Sequence, residues 1–445
     1  MCLGRHTLTG LLCTCGRQFQ DWSADYRLFE RGRFDATALF APVRQRVVAA
    51  LGADQEIVAH VDDTRCRRSG KKVSGVSWQR DPLGPHFRTQ FVWANRYLQI
   101  SLSLPEGPLP CAARAIPVDV QHCPTARKPG RKDGPEVWNQ WKRLRQQQRL
   151  PLVAAQRLRK LRAELDDDPR AKSKVLVVSF DGGFTNATVV KSPPPNTILI
   201  GRIRKDAKLY ALPDPSEAKP HGRRRLYGTL LPTPDALRKD PSTPWTTLPA
   251  WGAGKRHDFR IKTLSPLRWR GAGERNLRLL IIAPLQYRLS KNSNVLYREP
   301  AYLICTDPDL PLEKVLQYYL WRWGIEVNFR DQKTFLGMGE AHVWSEQAVA
   351  RVPTFIAAAY ATLQLAVHAA YGPHGRCLLP NPKWQRHRPD QRITLPQMVK
   401  LLRAELWSRA LGLPHSSDFA TATLDDRNGE QSPTHLQSAV IYAIR

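Results

Sequence analysis

Tyr319-Leu-Trp-Arg322-Trp-Gly-Ile-Glu326-Val-Asn-Phe-Arg-Asp-Gln-Lys333 sets a phenol, a guanidinium, a carboxylate and an ammonium at helical intervals. At ~100° per residue these four side chains fall within about 60° of one another on one helix face. Leu320, Trp323 and Val327 fall on an adjacent face, expected to be buried. A carboxylate flanked by cations on a packed helix suits metal-assisted chemistry on a phosphate backbone. Two more acids stand where strands end. Asp62, with Asp63 beside it, closes Ile57-Val-Ala-His-Val61, and Asp181 closes Lys174-Val-Leu-Val-Val-Ser-Phe180 just before Gly182-Gly183. Two strands and a helix that converge can set three acids around a pair of divalent cations about 3.5–4 Å apart, activating a water or 3′-hydroxyl and neutralising the leaving oxygen. Oxygen ligands without His or Cys partners favour Mg²⁺ over Zn²⁺. Taken singly, each Asp also reads as a turn former, and Glu326 as an ion-pair partner of Arg322 or Arg330.

The elements that must position these groups follow from pattern. Val43, Val47, Val48 and Leu51 recur at helical spacing inside 40–51. Strands are expected at 57–61, 73–78, 91–104, 174–180, 197–204, 277–284 and 301–306, with Asp81-Pro-Leu-Gly84 as a turn. The Pro-rich stretch 105–135 reads as an irregular excursion. From 137 to 165 the pattern is helical and basic, broken in two by Pro151. Residues 206–275 change character: prolines, tryptophans and basic runs such as His221-Gly-Arg-Arg-Arg225 dominate. Pro311 is expected to open the helix that carries the stripe, with Asp309 as its cap. Helices are expected over 346–371 and 395–406. The stretch 355–370, interrupted by Thr362, Gln364 and His368, is too short and polar for a membrane span and reads as a buried helix.

Among 445 residues, 68 Lys and Arg outweigh 39 Asp and Glu, a formal net charge of +29. The basic residues are spread along the whole chain, which favours a folded surface that wraps a polyanion, nucleic acid first. Eight cysteines form no Cys-x-x-Cys pair, which speaks against a zinc finger. Their scatter fits a reducing cytoplasm.

Tyr319-x2-Arg322-x3-Glu326-x6-Lys333 resembles the Tyr-Arg-Glu-Lys signature of bacterial insertion-sequence transposases with an RNase H-like DDE domain. Val61-Asp-Asp-Thr64, Val178-Ser-Phe-Asp181-Gly-Gly183 and Gly201-Arg-Ile-Arg-Lys-Asp206 resemble the same group. The resemblance implies an α/β fold: an RNase H-like mixed sheet flanked by helices, a β-rich insertion between the second Asp and the Glu, and helical terminal regions. The expected divisions are 1–55, an N-terminal helical region for DNA-end binding; 56–205, the first part of the core with the basic segment 137–165; 206–275, the insertion; 276–370, the second part of the core; and 371–445, a helical tail. It further implies that Asp62, Asp181 and Glu326 hold two Mg²⁺ ions, with Mn²⁺ as substitute and Asp63 as the alternative to Asp62, the ligand that the Asp-x-Thr register favours. Water would cut at the element's end, and the freed 3′-hydroxyl would attack target DNA. Tyr319, Arg322 and Lys333 would grip phosphates, with Arg202, Arg204, Lys205, Lys71 and Lys72 as further DNA contacts. Trp251 and Trp269, with Trp245, are candidates for stacking on a flipped base. Arg143, Arg145, Arg149, Arg157, Arg159, Lys160 and Arg162 are candidate phosphate binders, or else one solvated helix face. The implied partners are double-stranded DNA, as terminal inverted repeats and as target, and a second copy in a homodimer. No membrane partner is expected, and the implied location is the cytoplasm, with the nucleoid. The alternatives are a domesticated or regulatory DNA-binding protein and a metal-dependent nuclease without strand transfer.

Overall fold

The computed structural model describes the chain except for residues 1, 3, 82–83, 86, 215–223, 289–292, 376, 378, 380–391, 414–422, 426–430, 434 and 443–445. Part of the expected turn at 81–84 and of the basic run at 221–225 therefore lies outside the described residues.

Ile57-Val-Ala-His-Val61 is buried on both faces and starts strand β1 (Ile57–Arg67). Such a segment belongs inside a sheet covered on both sides. After β1 come β2 (Ser77–Arg80), β3 (Phe91–Pro105), β4 (Ala113–His122), β5 (Leu176–Phe180) and β6 (Thr197–Arg202). The order β4-β3-β1-β5-β6 runs through one sheet, with β3 antiparallel to β1 and β5 and β6 parallel to it. This is the expected RNase H-like core.

The segment between β6 and the Glu326 helix adds β7 (Leu209–Tyr210), β8 (Thr246–Gly252), β9 (Lys255–Trp269), β10 (Leu277–Ile282), β11 (Gln286–Tyr287), β12 (Leu296–Tyr297) and β13 (Ala301–Cys305). β13 pairs antiparallel with β6, and β10, β9 and β7 continue beyond it. β8 folds back on β9 as a hairpin. β7, β8 and β9 from the expected insertion, with β10 and β13, thus extend the core sheet itself to 11 strands, while β11 and β12 pair apart from it.

Helices cover both faces. On one lie α3 (Phe40–Ala49) and α5 (Leu150–Asp166), whose Val43, Val47, Leu158 and Leu161 pack on Ala59, Val61, Leu98 and Ile100. The N-terminal α1 (Leu8–Thr14) and α2 (Ser23–Glu30) precede them, α4 (Pro135–Gln147) lies ahead of α5, and α6 (Ala187–Val190) and α7 (Pro234–Lys239) are short. On the other face α8 (Leu312–Trp321) buries Val315, Leu316 and Trp321 against Val58, Val177 and Ile200. α9 (Trp323–Thr334), α10 (Glu346–Tyr371), α11 (Leu395–Ala410) and α12 (His435–Tyr442) complete the chain. By length and composition α10 could cross a membrane. Its residues are built into protein instead: the Tyr97 hydroxyl donates to Val349 O at 2.9 Å and the Tyr360 hydroxyl to Asn328 Oδ1 at 3.1 Å.

Several local expectations fail for identifiable reasons. The 105–135 stretch contains β4, a buried strand despite Pro117. β4 pairs with β3 alone, and the register shifts where Pro117 enters, so the missing N–H costs no ladder bond. The strand expected at 73–78 is confined to 77–80. The stripe helix is two helices, because Arg322 and Ile325 bond three residues back, to Tyr319 O and Arg322 O, rather than four. Pro311, not Asp309, stands at the N-cap of α8. Trp323 is 58% exposed and not part of the buried face. That face is formed by Ile325, Asn328, Phe329 and Gln332.

Candidate active site

Alternation along a strand decides which acid can meet which. His60 is the register partner of Ser179, and Val61 of Phe180. Two residues beyond His60 and Ser179, on the same sheet face and on adjacent parallel strands, stand Asp62 and Asp181. Asp63 belongs to the opposite face, where its carboxylate lies 3.4 Å from Arg65. Burial raises the Asp63 carboxyl above its ordinary range, against the pull of Arg65 and Arg96.

The layer beneath the two aspartates is buried and polar. His60 is fully buried and bonds Ser179 Oγ at 2.6 Å and Ser103 Oγ at 2.7 Å, which ties β5, β1 and β3 together. Burial, with Arg322 nearby, lowers its pKa to about 3, so the ring stays neutral. Each such bond contributes about 1 kcal/mol, and a partner left unpaired costs about 1–3 kcal/mol. The register that aligns Asp62 with Asp181 is thereby pinned one pleat below them.

Glu326 reaches this point from α9 through Arg322. One guanidinium nitrogen lies 3.3 Å from Asp62 Oδ2 and another 2.9 Å from Glu326 Oε1. α9 gets there because it lies tight on β4: a Cβ on Gly324 would sit 2.8 Å from the Ala115 Cβ. Below Glu326, Asn328 donates to Ser101 Oγ at 3.2 Å and Gln332 to Gln99 Oε1 at 3.1 Å. Burial pushes the Asp62 carboxyl up to about 7, against Arg322 and with the help of the Asp181 charge. Asp181 Oδ1 accepts from the Gly183 N–H at 2.9 Å, and its carbonyl accepts from the Thr185 hydroxyl at 2.9 Å.

The donor set suits a hard divalent cation: three carboxylates, no sulfur, and two aspartates whose charges oppose one another. The Arg322 guanidinium is the positive charge that now stands between Asp62 and Glu326. Among the described residues, no three Asp, Glu, His or Cys side chains stand close enough together to hold a metal ion as they lie.

The other expected residues divide into two groups. Asp181, Arg202, Arg204, Lys205 and Trp269 line one cleft of about 980 Å³. Arg204 is exposed there and paired at 2.9 Å with Asp206. Tyr319 and Arg322 stand together, the guanidinium carbon 5.9 Å from the ring centre. Lys333 faces the far end of β1, near Asp63, Arg65 and Cys66, and burial lowers its pKa. Lys71 and Lys72 are exposed in the β1–β2 connection, outside the cleft. Trp251 is also outside it: its backbone N–H and C=O pair with the Gln317 side chain at 2.8 and 3.0 Å, which docks β8 on α8. Trp245 packs on the core between Lys262 and Arg260, at 4.8 and 5.2 Å.

Sequence reasoning missed Arg238 and Lys239 of α7, which line the same cleft as Asp181. The available signal was Thr233-Pro-Asp ahead of a basic pair: Thr233 caps the helix by accepting from the Ala236 N–H, and Asp235 takes both cations, at 3.0 and 2.8 Å.

A family model described as DDE superfamily endonuclease matches residues 1–272. The match contains Asp62 and Asp181 and ends before Glu326. No curated protein matches the chain.

Proposed function

From a chain that belongs to the DDE superfamily endonuclease family, and so is a nuclease-type enzyme with DNA as substrate, we propose a DNA transposase that cuts element ends and joins the freed 3′-hydroxyl to target DNA. The observation that carries this reading is the meeting of Asp62 and Asp181 on neighbouring parallel strands with Glu326, linked through Arg322.

In this reading Asp62, Asp181 and Glu326 hold two Mg²⁺ ions, which Mn²⁺ can replace. Such ions would lower the pKa of the attacking water and neutralise the leaving oxygen of the phosphodiester. Asp62 is the ligand rather than Asp63, which Arg65 holds on the other face. Arg322, which pairs with Asp62 and Glu326, would offer its two-pronged donor to a phosphate once the acids take up cations, beside the Tyr319 ring. Lys333 adds a point charge further along α9. Arg202, Arg204, Lys205, Arg238 and Lys239 neutralise the strand lying in the Asp181 cleft, and Trp269 offers a flat face to an unstacked base. Both ends must be cut together, so the active species is a homodimer on paired inverted repeats. The exposed Lys71 and Lys72 contact flanking DNA.

The test is a joining assay with precut 3′-hydroxyl ends and a plasmid target. The expected result is plasmid-linked product in Mg²⁺ or Mn²⁺. Nicking without joined product would refute transposition and leave a metal-dependent nuclease.

A further inference from the structure

The two basic helices between β4 and β5 use their cations differently. On α5, Arg157 is spent on Asp119, with Nε 2.6 Å from Oδ2. Arg162 is buried and donates to Lys174 O at 2.9 Å and Ala171 O at 3.3 Å. Lys160 lies 3.7 Å from Glu164. The apolar side of α5 belongs to the core. On α4 no residue is buried. Lys142, Arg143, Arg145 and, just past the helix, Arg149 are all exposed, as are Arg127, Lys128, Arg131 and Lys132 in the loop before it. Among the described residues none of these eight makes an ion pair. Only Asp133 and Glu136 oppose them over 124–149, and Asp133 is engaged by the Gly130 N–H at 2.7 Å.

A helix without a buried face needs local support, and α4 has it. Pro135 stands in its first turn with Glu136, and Arg145 in its last turn, as the helix dipole favours. The loop is fastened to the helix: Trp141 Nε1 donates to Ala126 O at 3.2 Å, and Lys128 lies 5.8 Å from the Trp138 ring centre. Arg145 lies 5.2 Å from the Trp141 ring centre, and the two indoles meet edge to face at 5.5 Å. Loop and helix are thus one preshaped cationic unit, and none of its residues lines the Asp181 cleft.

We propose that α4 and the loop before it form a second duplex-DNA contact that grips the phosphate backbone outside the cleavage cleft. The inference rests on the nuclease reading above and adds a site to it. Duplex DNA carries about one charge per 1.7 Å of its axis, and α4 is about 20 Å long, so several phosphates face it at once. Charge density selects this occupant over a lipid surface or a second copy, because only Val137 and Leu144 stand open as apolar groups on α4, 47% and 40% exposed.

The test uses the full chain and a 40-base-pair duplex of arbitrary sequence, with affinity measured across a salt series. The Lys142→Gln/Arg143→Gln/Arg145→Gln/Arg149→Gln variant is expected to bind about ten-fold or more weakly near 0.1 M salt, with a log K against log salt slope shallower by about 3–4. Its global melting temperature should stay close to wild type, since α4 buries no residue in the core and Arg145 is the one member of the set among the supports of α4. Should it melt early, the pairwise variants Lys142→Gln/Arg143→Gln and Arg145→Gln/Arg149→Gln decide the case, each flattening the slope by about 2. Arg143→Lys/Arg145→Lys/Arg149→Lys should bind as wild type. Wild-type affinity and slope in the glutamine variants overturn the proposal, whether those variants instead lose binding to anionic vesicles or lose self-association. A wild-type chain that binds no duplex at all overturns the nuclease reading itself.

Discussion

Arg322 is the residue on which the site turns. It satisfies Asp62 and Glu326 together, whereas the half-buried Asp181 makes no ion pair among the described residues. A divalent ion that binds the folded protein must therefore stabilise it. At about 100-fold excess over its dissociation constant, Mn²⁺ should add about 2.7 kcal/mol of stability to the wild-type chain, read as a rise in melting temperature. Asp62→Asn and Asp181→Asn should lose that rise, while Asp63→Asn, on the other face, keeps it. Equal rises in all three variants would show that the ion binds elsewhere. The sequence separates Asp62 from Asp63 only through strand alternation, and that alternation is usable only once β1 is known to pair with β5 in this register.

At the scale of elements, Gly324 lets α9 approach β4. A Cβ there would overlap Ala115, so Gly324→Ala should destabilise the fold by about 1–3 kcal/mol and displace Glu326. Gly324→Ala/Ala115→Gly should recover much of that loss in a denaturant melt. If the double variant is no better than the single one, this contact does not set the helix position. The helix itself was legible from periodicity, because Arg322 keeps helical angles of φ −51° and ψ −33° through the break. The break was not legible, nor was the identity of the buried face. Asn328 and Gln332 are buried because Ser101 and Gln99 of β3 offer them partners. β4 was missed for a similar reason: Pro117 reads as a strand breaker until it is known to lie on an edge. The apolar runs that became β1, β5, β6, β10 and β13 needed no tertiary partner to be recognised.

For the whole molecule, the sheet runs unbroken from β4 through the core to β7, with β6 and β13 paired at the junction. This places Trp269 and the cations of α7 beside Asp181 in one cleft, an arrangement that composition could not reveal. The net charge of +29 was legible as a polyanion-binding surface, but its division between the engaged Arg157, Lys160 and Arg162 of α5 and the open cations of α4 depends on which side chains the core consumes. The central claim is that acids from β1, β5 and α9 act as one site. Its most direct test is the rate of divalent-metal-dependent cleavage of end-bearing duplex by Asp62→Ala, Asp181→Ala and Glu326→Ala, with DNA binding measured on the same samples. All three should lose cleavage by a factor on the order of 10³ or more, as expected when a carboxylate that holds the catalytic ions is removed, while each still binds the duplex. Wild-type cleavage by Glu326→Ala, the residue that lies beyond the matched residues 1–272, would contradict it.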